Sequence, residues 1–187
     1  AIFVAATATA GPAPRDPAEE TRVGRNSLDA GDLDAARVHV ENALSANSNF
    51  RAALALGGAT EIAGERWEAA YRYYSRLLRL DPDSADALHE IPKILIRYRK
   101  FADAENVVAR DRDRDERDPE SWYNEYLLWE ARGETTKSLE ALRRCLYLDP
   151  AHFSATLAQG GSFVKAGDLE KARGVFERAR GLRPRDP

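Results

Sequence analysis

The sequence predicts an all-α fold, a row of antiparallel helix hairpins stacked side by side into an α-solenoid, and three observations lead there. The first is a period: Ala36, Ala70, Ala104, Ser138 and Ala172 place a small residue every 34 positions. The second is punctuation in the same register, with Gly24, Gly58 and Gly160 in one column and Pro82, Pro150 and Pro184 in another. The third is the helical spacing of apolar residues inside each repeat, of which Trp122, Tyr126 and Trp129 at i, i+4 and i+7 are the plainest case. A period of this length marks a supersecondary unit copied along the chain, and it outweighs local propensity in deciding the fold.

Five repeats of 34 residues, 17–50, 51–84, 85–118, 119–152 and 153–186, follow one another without an insertion. Each opens on a first helix with its larger residues at positions 4, 8 and 11, and Trp122 at position 4 is placed to bridge adjacent hairpins. A glycine near position 15 stops that helix, because glycine adopts a backbone conformation that side chains disfavour. An acidic residue follows, where the N-terminus of the next helix favours negative charge. The second helix carries its apolar face at positions 17, 20, 24, 27 and 28: Trp67, Ala70, Tyr74, Leu77 and Leu78 in the second repeat. Asp81-Pro82, Asp149-Pro150 and, in the last repeat, Arg183-Pro184 end it, since proline lacks an amide hydrogen and restricts its predecessor. The small residue at position 20 lets the two helices approach closely where they cross. A lone hairpin cannot bury its apolar face, so neighbours must stack.

These repeats resemble tetratricopeptide repeats. The fifth carries the family's residues at Gly160, Phe163, Ala172, Phe176, Ala179 and Pro184, and the second carries them at Gly58, Ala70, Tyr74 and Pro82. The third departs most: Pro92 stands where the family has glycine, Asp111 where it has alanine and Glu116 where it has proline, so locally distorted stacking is expected there. The resemblance implies one repeat domain over residues 17–186, a right-handed superhelix, an inner wall built by the first helices, and protein binding in place of catalysis.

At 100° per residue, positions 2, 5, 9, 12 and 13 of a first helix lie opposite positions 4, 8 and 11 and are free to face a ligand. The second repeat contributes Ala52, Ala55, Leu56, Ala59 and Ile62 to this expected groove, and the third His89, Lys93 and Arg97. The fourth adds Tyr123, Asn124 and Leu127, and the fifth Leu157 and Val164. An apolar strip with a few cations suits an extended peptide or amphipathic helix of a partner protein, one carrying some acidic residues. Leu56, Tyr123 and Leu127 are the expected apolar contacts, with Lys93 and Arg97 selecting charge. Some members of the family grip a terminal carboxylate with a Lys/Asn/Arg clamp; only Asn124 fits that pattern, which argues against such tails as ligands.

Other chemistries find no support. With 28 Lys+Arg against 31 Asp+Glu the formal net charge is −3, and helix geometry divides Lys93, Arg97, Arg99 and Lys100 between faces, so nucleic acid is not an expected partner. Asp111, Asp113 and Asp115 imitate the start of a calcium loop, but Glu116 and Trp122 occupy the positions of its glycine and closing glutamate. His39, His89 and His152 share no cluster with Cys145, the only cysteine, whose place in the register predicts an inert packed thiol. The expectation is a non-enzymatic scaffold without cofactor or metal.

Residues 1–10 form the only uncharged apolar stretch, too short for the roughly 20 residues of a membrane-spanning helix. Residues 1–16 read as a flexible arm, as the remnant of a secretory signal peptide, or as an arm lying in a groove. The compartment, cytoplasmic or periplasmic, depends on which holds. An exported bacterial factor serving envelope, pilus or secretion assembly, or the regulatory arm of a larger enzyme, are the alternative functions. The last hairpin is expected to present Val175, Phe176 and Ala179 to solvent and so to favour self-association or a partner's cap.

Overall fold

The structure, a computed structural model, describes residues 16–182, so the apolar stretch 1–10 and the Arg183-Pro184 helix stop lie outside it. Ten α-helices and no strand occur among the described residues: α1 (Pro17–Asp29), α2 (Leu33–Ala46), α3 (Arg51–Ala63), α4 (Trp67–Leu80), α5 (Ala85–Arg97), α6 (Phe101–Arg114), α7 (Pro119–Arg132), α8 (Thr135–Leu148), α9 (Phe153–Lys165) and α10 (Leu169–Leu182). First helices begin at residues 17, 51, 85, 119 and 153, the starts of the five repeats, and second helices begin 16 positions later each time. Asp16, Asp32 and Asp118 cap α1, α2 and α7 by accepting from backbone N–H groups, at 2.9 Å from Ala18, 3.0 Å from Ala35 and 3.0 Å from Glu120. No described helix is long and apolar enough to cross a membrane.

The chain divides into two compact units between Leu80 and Asp81. In the first, α1 packs on α2 and α3 on α4, with α3 also seated against α1 and α2. In the second, the pairs α5–α6, α7–α8 and α9–α10 form hairpins, α7 rests on α5 and α6, and α9 rests on α8. Within every hairpin the position-20 residue is buried, Ala36, Ala70, Ala104, Ser138 and Ala172 alike, as the close crossing requires. The position-27 column is interior throughout: Ala43, Leu77, Asp111, Cys145 and Ala179 are all buried. Ala179 therefore leaves the expected open face of the last hairpin, where Phe176 is exposed as expected, Val175 is partly so and Leu169 is exposed as well.

Every first helix ends in the same left-handed turn, at position 15 of its repeat. Gly31, Gly133 and Gly167 have φ of 78°, 79° and 76°, but Glu65 and Arg99 hold the equivalent places with φ of 56° and 57°. In the second repeat the glycine near position 15 is Gly64, with φ of −87°, and the turn falls one residue later, so the expectation that glycine itself makes the turn is corrected there. What fixes the turn is the paired hydrogen bonding that closes each helix, for example Asp32 N–H to Ser27 O and Lys100 N–H to Leu95 O, both 2.9 Å. An added Cβ at Gly133 would meet nothing within 4 Å, so Gly133→Ala should cost roughly 1 kcal/mol through backbone strain alone. Arg99→Gly should relieve a similar strain, offset by unfolded-chain entropy, and leave stability unchanged within about 0.5 kcal/mol. Urea melts of the two variants check both signs.

The third repeat keeps its helices despite its departures. Pro92 lies buried inside α5, which continues to Arg97, and Asp111 is 1% exposed. The buried acid is accommodated by a polar cluster that the rest of the second unit builds around it.

Candidate functional site

In the first unit the α3 face places Ala52 in solvent and Ala55, Ala59 and Ile62 partly so. Leu56 is wholly buried and cannot contact a ligand there. The reason is its direction: a Cβ added at Gly24 would lie 2.9 Å from Leu56 Cδ2, so position 6 points back at the preceding first helix. Asn124, also at position 6, is buried for the same reason. Its Nδ2 donates to the carbonyl of His89 on α5 at 3.0 Å, while its Oδ1 accepts no hydrogen bond. Asn124 is a packing residue in this structure.

On α5 the histidine and lysine expected in the groove are committed to internal partners. His89 Nε2 lies 2.9 Å from Asp118 Oδ2 and 3.5 Å from Asp111 Oδ2. Ser121 Oγ donates to Asp111 Oδ2 at 2.7 Å, and Arg114 reaches Asp111 and Asp118 at 3.1 and 2.8 Å. The ligand atoms of His89, Asp111 and Asp118 fall within 4.8 Å of one another, the spacing of a metal site. The Arg114 guanidinium, however, already supplies the cation between both carboxylates, so the donor set is complete without an ion.

Lys93 Nζ lies 3.0 Å from Glu90 and 2.8 Å from Glu120. Burial opposes its charge, but the two carboxylates outweigh burial and raise its pKa. Lys93 is therefore satisfied within the chain and is no charge selector, whereas Arg97 is exposed at the end of α5. Glu120 also contacts His152, at 3.0 Å from Nε2. Because His152 Nδ1 accepts from Ala155 N–H at 3.1 Å, its proton sits on Nε2 and is donated to Glu120. Burial works to raise Glu120, but the hydrogen bond from His152 and the charge of Lys93 prevail and hold it at about 2 against an ordinary 4.5. A carboxylate depressed in the folded state adds stability that is fully present above its unfolded pKa and disappears as pH falls through the folded one. Between pH 5 and 2 the second unit should lose about 2 kcal/mol from this group, and Glu120→Gln should flatten that fall in urea melts run across the range.

Around this cluster lies the apolar part of the face. Tyr123 stacks against Tyr126 with ring centroids 5.7 Å apart and meets His152 at 5.0 Å. Tyr123 and Leu127 are half-buried, packed with Ala158 on a core of Tyr126, Ala141, Leu142, Cys145 and Ala155. On α9 Leu157 is exposed and Val164, seven residues on, is 47% exposed, so both present apolar surface to solvent. The sequence reading missed Arg114, Asp118, Ser121 and Glu120, although an aspartate in an alanine column was a signal that compensating partners should exist nearby.

Cys145 lies within the core just described. Its burial, with smaller contributions from Glu120, Asp149 and Asp118, pushes the thiol up to about 12. At pH 8 a maleimide or disulfide reagent should leave the folded chain unlabelled and react once denaturant opens the second unit, so labelling followed by mass spectrometry reports its unfolding.

A family profile described as tetratricopeptide repeat matches residues 24–85 and 127–187. The chain belongs to the tetratricopeptide repeat family. Among solved structures it resembles TTC0263, a thermophilic TPR protein of Thermus thermophilus, at TM-score 0.80 and 19% identity over 91% of this chain and 93% of that one. It resembles the MamA 41-end chain from Desulfovibrio magneticus RS-1 at TM-score 0.69 and 20% identity, covering 94% of this chain and all of that one. It also resembles YrrB, described as a TPR protein with an unusual peptide-binding site, at TM-score 0.63 and 18% identity over 91% and 88% of the two chains. No curated protein matches the sequence. These likenesses establish the tetratricopeptide repeat fold, which is a scaffold for protein–protein interaction, and the stretch 86–126 between the matched segments contains Pro92, Asp111 and Glu116.

Proposed function

We propose that the protein is a non-enzymatic scaffold holding an extended or helical segment of a partner protein against its first-helix faces. In the second unit the contacts are Tyr123, Leu127, Leu157 and Val164, with Arg97 and the paired cluster of His89 and Lys93 at one side. In the first unit the small side chains Ala52, Ala55 and Ala59 would admit a closely approaching chain, with Ile62 as a larger apolar contact beside them. The observation that carries the reading is the exposure of Leu157 and Val164 at i and i+7 of α9: an apolar pair two helical turns apart is the pattern with which one helix face meets another segment. The peptide-binding site named for YrrB supports the reading by analogy of fold. Because Lys93 is balanced by Glu90 and Glu120, apolar contact and not an acidic partner residue is the main source of affinity at this face.

A phage-displayed random peptide library panned on the intact chain tests this. Clones should be recovered whose binding falls at least about tenfold with Leu157→Asp or Val164→Asp and stays unchanged with Leu139→Ser, an exposed residue of α8. Recovery only of clones indifferent to both α9 substitutions would remove the face from consideration.

A further inference from the structure

A second surface, independent of the one just proposed, follows from a break in the arginine register. Position 26 of the second, third, fourth and fifth repeats is Arg76, Arg110, Arg144 and Arg178. Arg76 donates to the carbonyl of Ser48 and Arg110 to the carbonyl of Pro82, in both cases the position-32 carbonyl of the preceding repeat, whereas Arg178 donates to Gln159 Oε1 at 2.9 Å. The matching acceptor for Arg144 is the carbonyl of Glu116, but Trp122 Nε1 donates to it at 2.8 Å. Arg144 is displaced onto aromatic faces, its guanidinium carbon 5.7 Å from the Trp122 ring centroid and 5.4 Å from that of Tyr147. Both of these contacts are with rings, and among the described residues Arg144 has no carboxylate partner.

The displaced arginine stands in a groove of about 660 Å³ in the second unit, floored by Trp122 and Trp129 of α7 and walled by α6 and α8. Tyr147, 74% exposed, extends its apolar rim. Two of the groove's acids are engaged. Glu125 takes Arg112 at 2.8 Å and the Trp129 indole at 3.1 Å, and Glu140 lies 3.9 Å from Arg143. Lys137 sits 4.3 Å over the Trp129 ring and 4.0 Å from Glu134, at the outer limit of an ion pair. Among the described residues Arg144 is thus the groove cation with no carboxylate at ion-pair distance, and it lies against rings. In the first unit the groove over α3 has Glu61 where α7 has Trp129, and that carboxylate is taken by Arg37 at 3.2 Å and Arg66 at 3.1 Å. Exchanging the acid for an indole removes the internal counter-charge and adds an apolar floor.

We propose that this groove binds an acidic peptide segment of another protein, with a carboxylate held by the Arg144 fork and an apolar neighbour resting on Trp122, Trp129 and Tyr147. The guanidinium fork has the geometry for two parallel bonds to one carboxylate, and partial desolvation by the neighbouring rings strengthens such bonds. Glu116, Glu125 and Glu140 line the same groove and repel any continuous run of negative charge, a polyphosphate backbone or a polyacidic tract alike, so the fit is to one carboxylate at Arg144 with apolar neighbours. Residues 1–15 of this chain contain no acidic side chain and do not match the cationic donors as an occupant.

The test pans a phage-displayed random dodecapeptide library on the full chain and sorts recovered clones by variant. One class should be enriched in Asp and Glu, weaken in added salt, lose binding about tenfold or more with Arg144→Glu, and ignore Val164→Asp. Trp122→Phe keeps a ring but returns the Glu116 carbonyl to Arg144, and should weaken the same clones while circular dichroism stays unchanged. Absence of any Arg144-dependent clone, or an Arg144-dependent class with no acidic excess, overturns the proposal. So does a concentration-dependent rise in sedimenting mass that Arg144→Glu abolishes, which would assign the groove to a second copy of the chain. A Val164-dependent class found without an Arg144-dependent one would leave the first-helix face standing and this groove refuted.

Discussion

Replacing Arg114 with Met is expected to destabilise the second unit by about 3–5 kcal/mol, because it strips the cation from a carboxylate that has no access to water. Asp111 is 1% exposed and is held by Ser121 at 2.7 Å and by Arg114 at 3.1 Å. Without Arg114 its charge keeps only the Ser121 hydroxyl and His89, at 3.5 Å, and Asp118 also loses its 2.8 Å partner. Removing the acid is a different matter. Asp111→Ala installs the small residue that the family carries at this position and leaves Arg114 paired with Asp118, at a cost of about 1 kcal/mol for the orphaned Ser121 hydroxyl. The double variant should then recover most of the loss, to within about 2 kcal/mol of the parent, since the charge that needed Arg114 is gone. Urea melts followed by circular dichroism, with Cys145 labelling as a second probe of the same unit, measure the cycle. Equal losses for the two single variants, with a double variant that simply adds them, would mean the cluster is an ordinary surface ion pair.

The regular part of the molecule was legible because it is periodic. A 34-residue register predicts both helices of every hairpin from the spacing of Ala36, Ala70, Ala104, Ser138 and Ala172, and the helix starts follow it without drift. The register also predicts a column of positive φ at position 15, yet glycine alone is an incomplete guide to it. Glu65 and Arg99 adopt the conformation because the closing hydrogen bonds of the helix impose it, and their strain is small enough for the hairpin to absorb.

Side-chain direction was less legible than helix position. Leu56 and Asn124 share a helix with true surface residues, but one position of rotation, about 100°, aims them at the preceding first helix. Pairing was least legible of all. Nothing local in Lys93 foretells that Glu120 lies within 2.8 Å, nor does Trp122 foretell that its indole will claim the carbonyl left for Arg144. Such contacts cross from one repeat into the next, and they follow from stacking geometry that the sequence pattern leaves implicit.

The same geometry separates two glycines that look equivalent in the repeat. Gly58→Ala should cost about 2–3 kcal/mol, whereas Gly160→Ala should lie within about 1 kcal/mol of neutral. Both occupy position 8, and both face the aromatic residue at position 24 of their own hairpin. A Cβ at Gly58 would stand 2.4 Å from Tyr74 Cε2, and one at Gly160 would stand 2.5 Å from Phe176 Cε1, so each ring must move. Tyr74 is 3% exposed and closed in by its neighbours, while Phe176 is 39% exposed and has solvent to move into. Alanine also gains roughly 0.5–1 kcal/mol over glycine inside a helix, and this offsets the small displacement of Phe176 but not the overpacking around Tyr74. Tyr74→Leu placed on the Gly58→Ala background should recover part of the loss, because the smaller side chain vacates the space that the new methyl requires. Thermal melts of the three variants decide the matter. If Gly160→Ala proves as costly as Gly58→Ala, the ring of Phe176 is held as firmly as a core residue, and the last hairpin is packed more tightly than its exposed apolar surface implies.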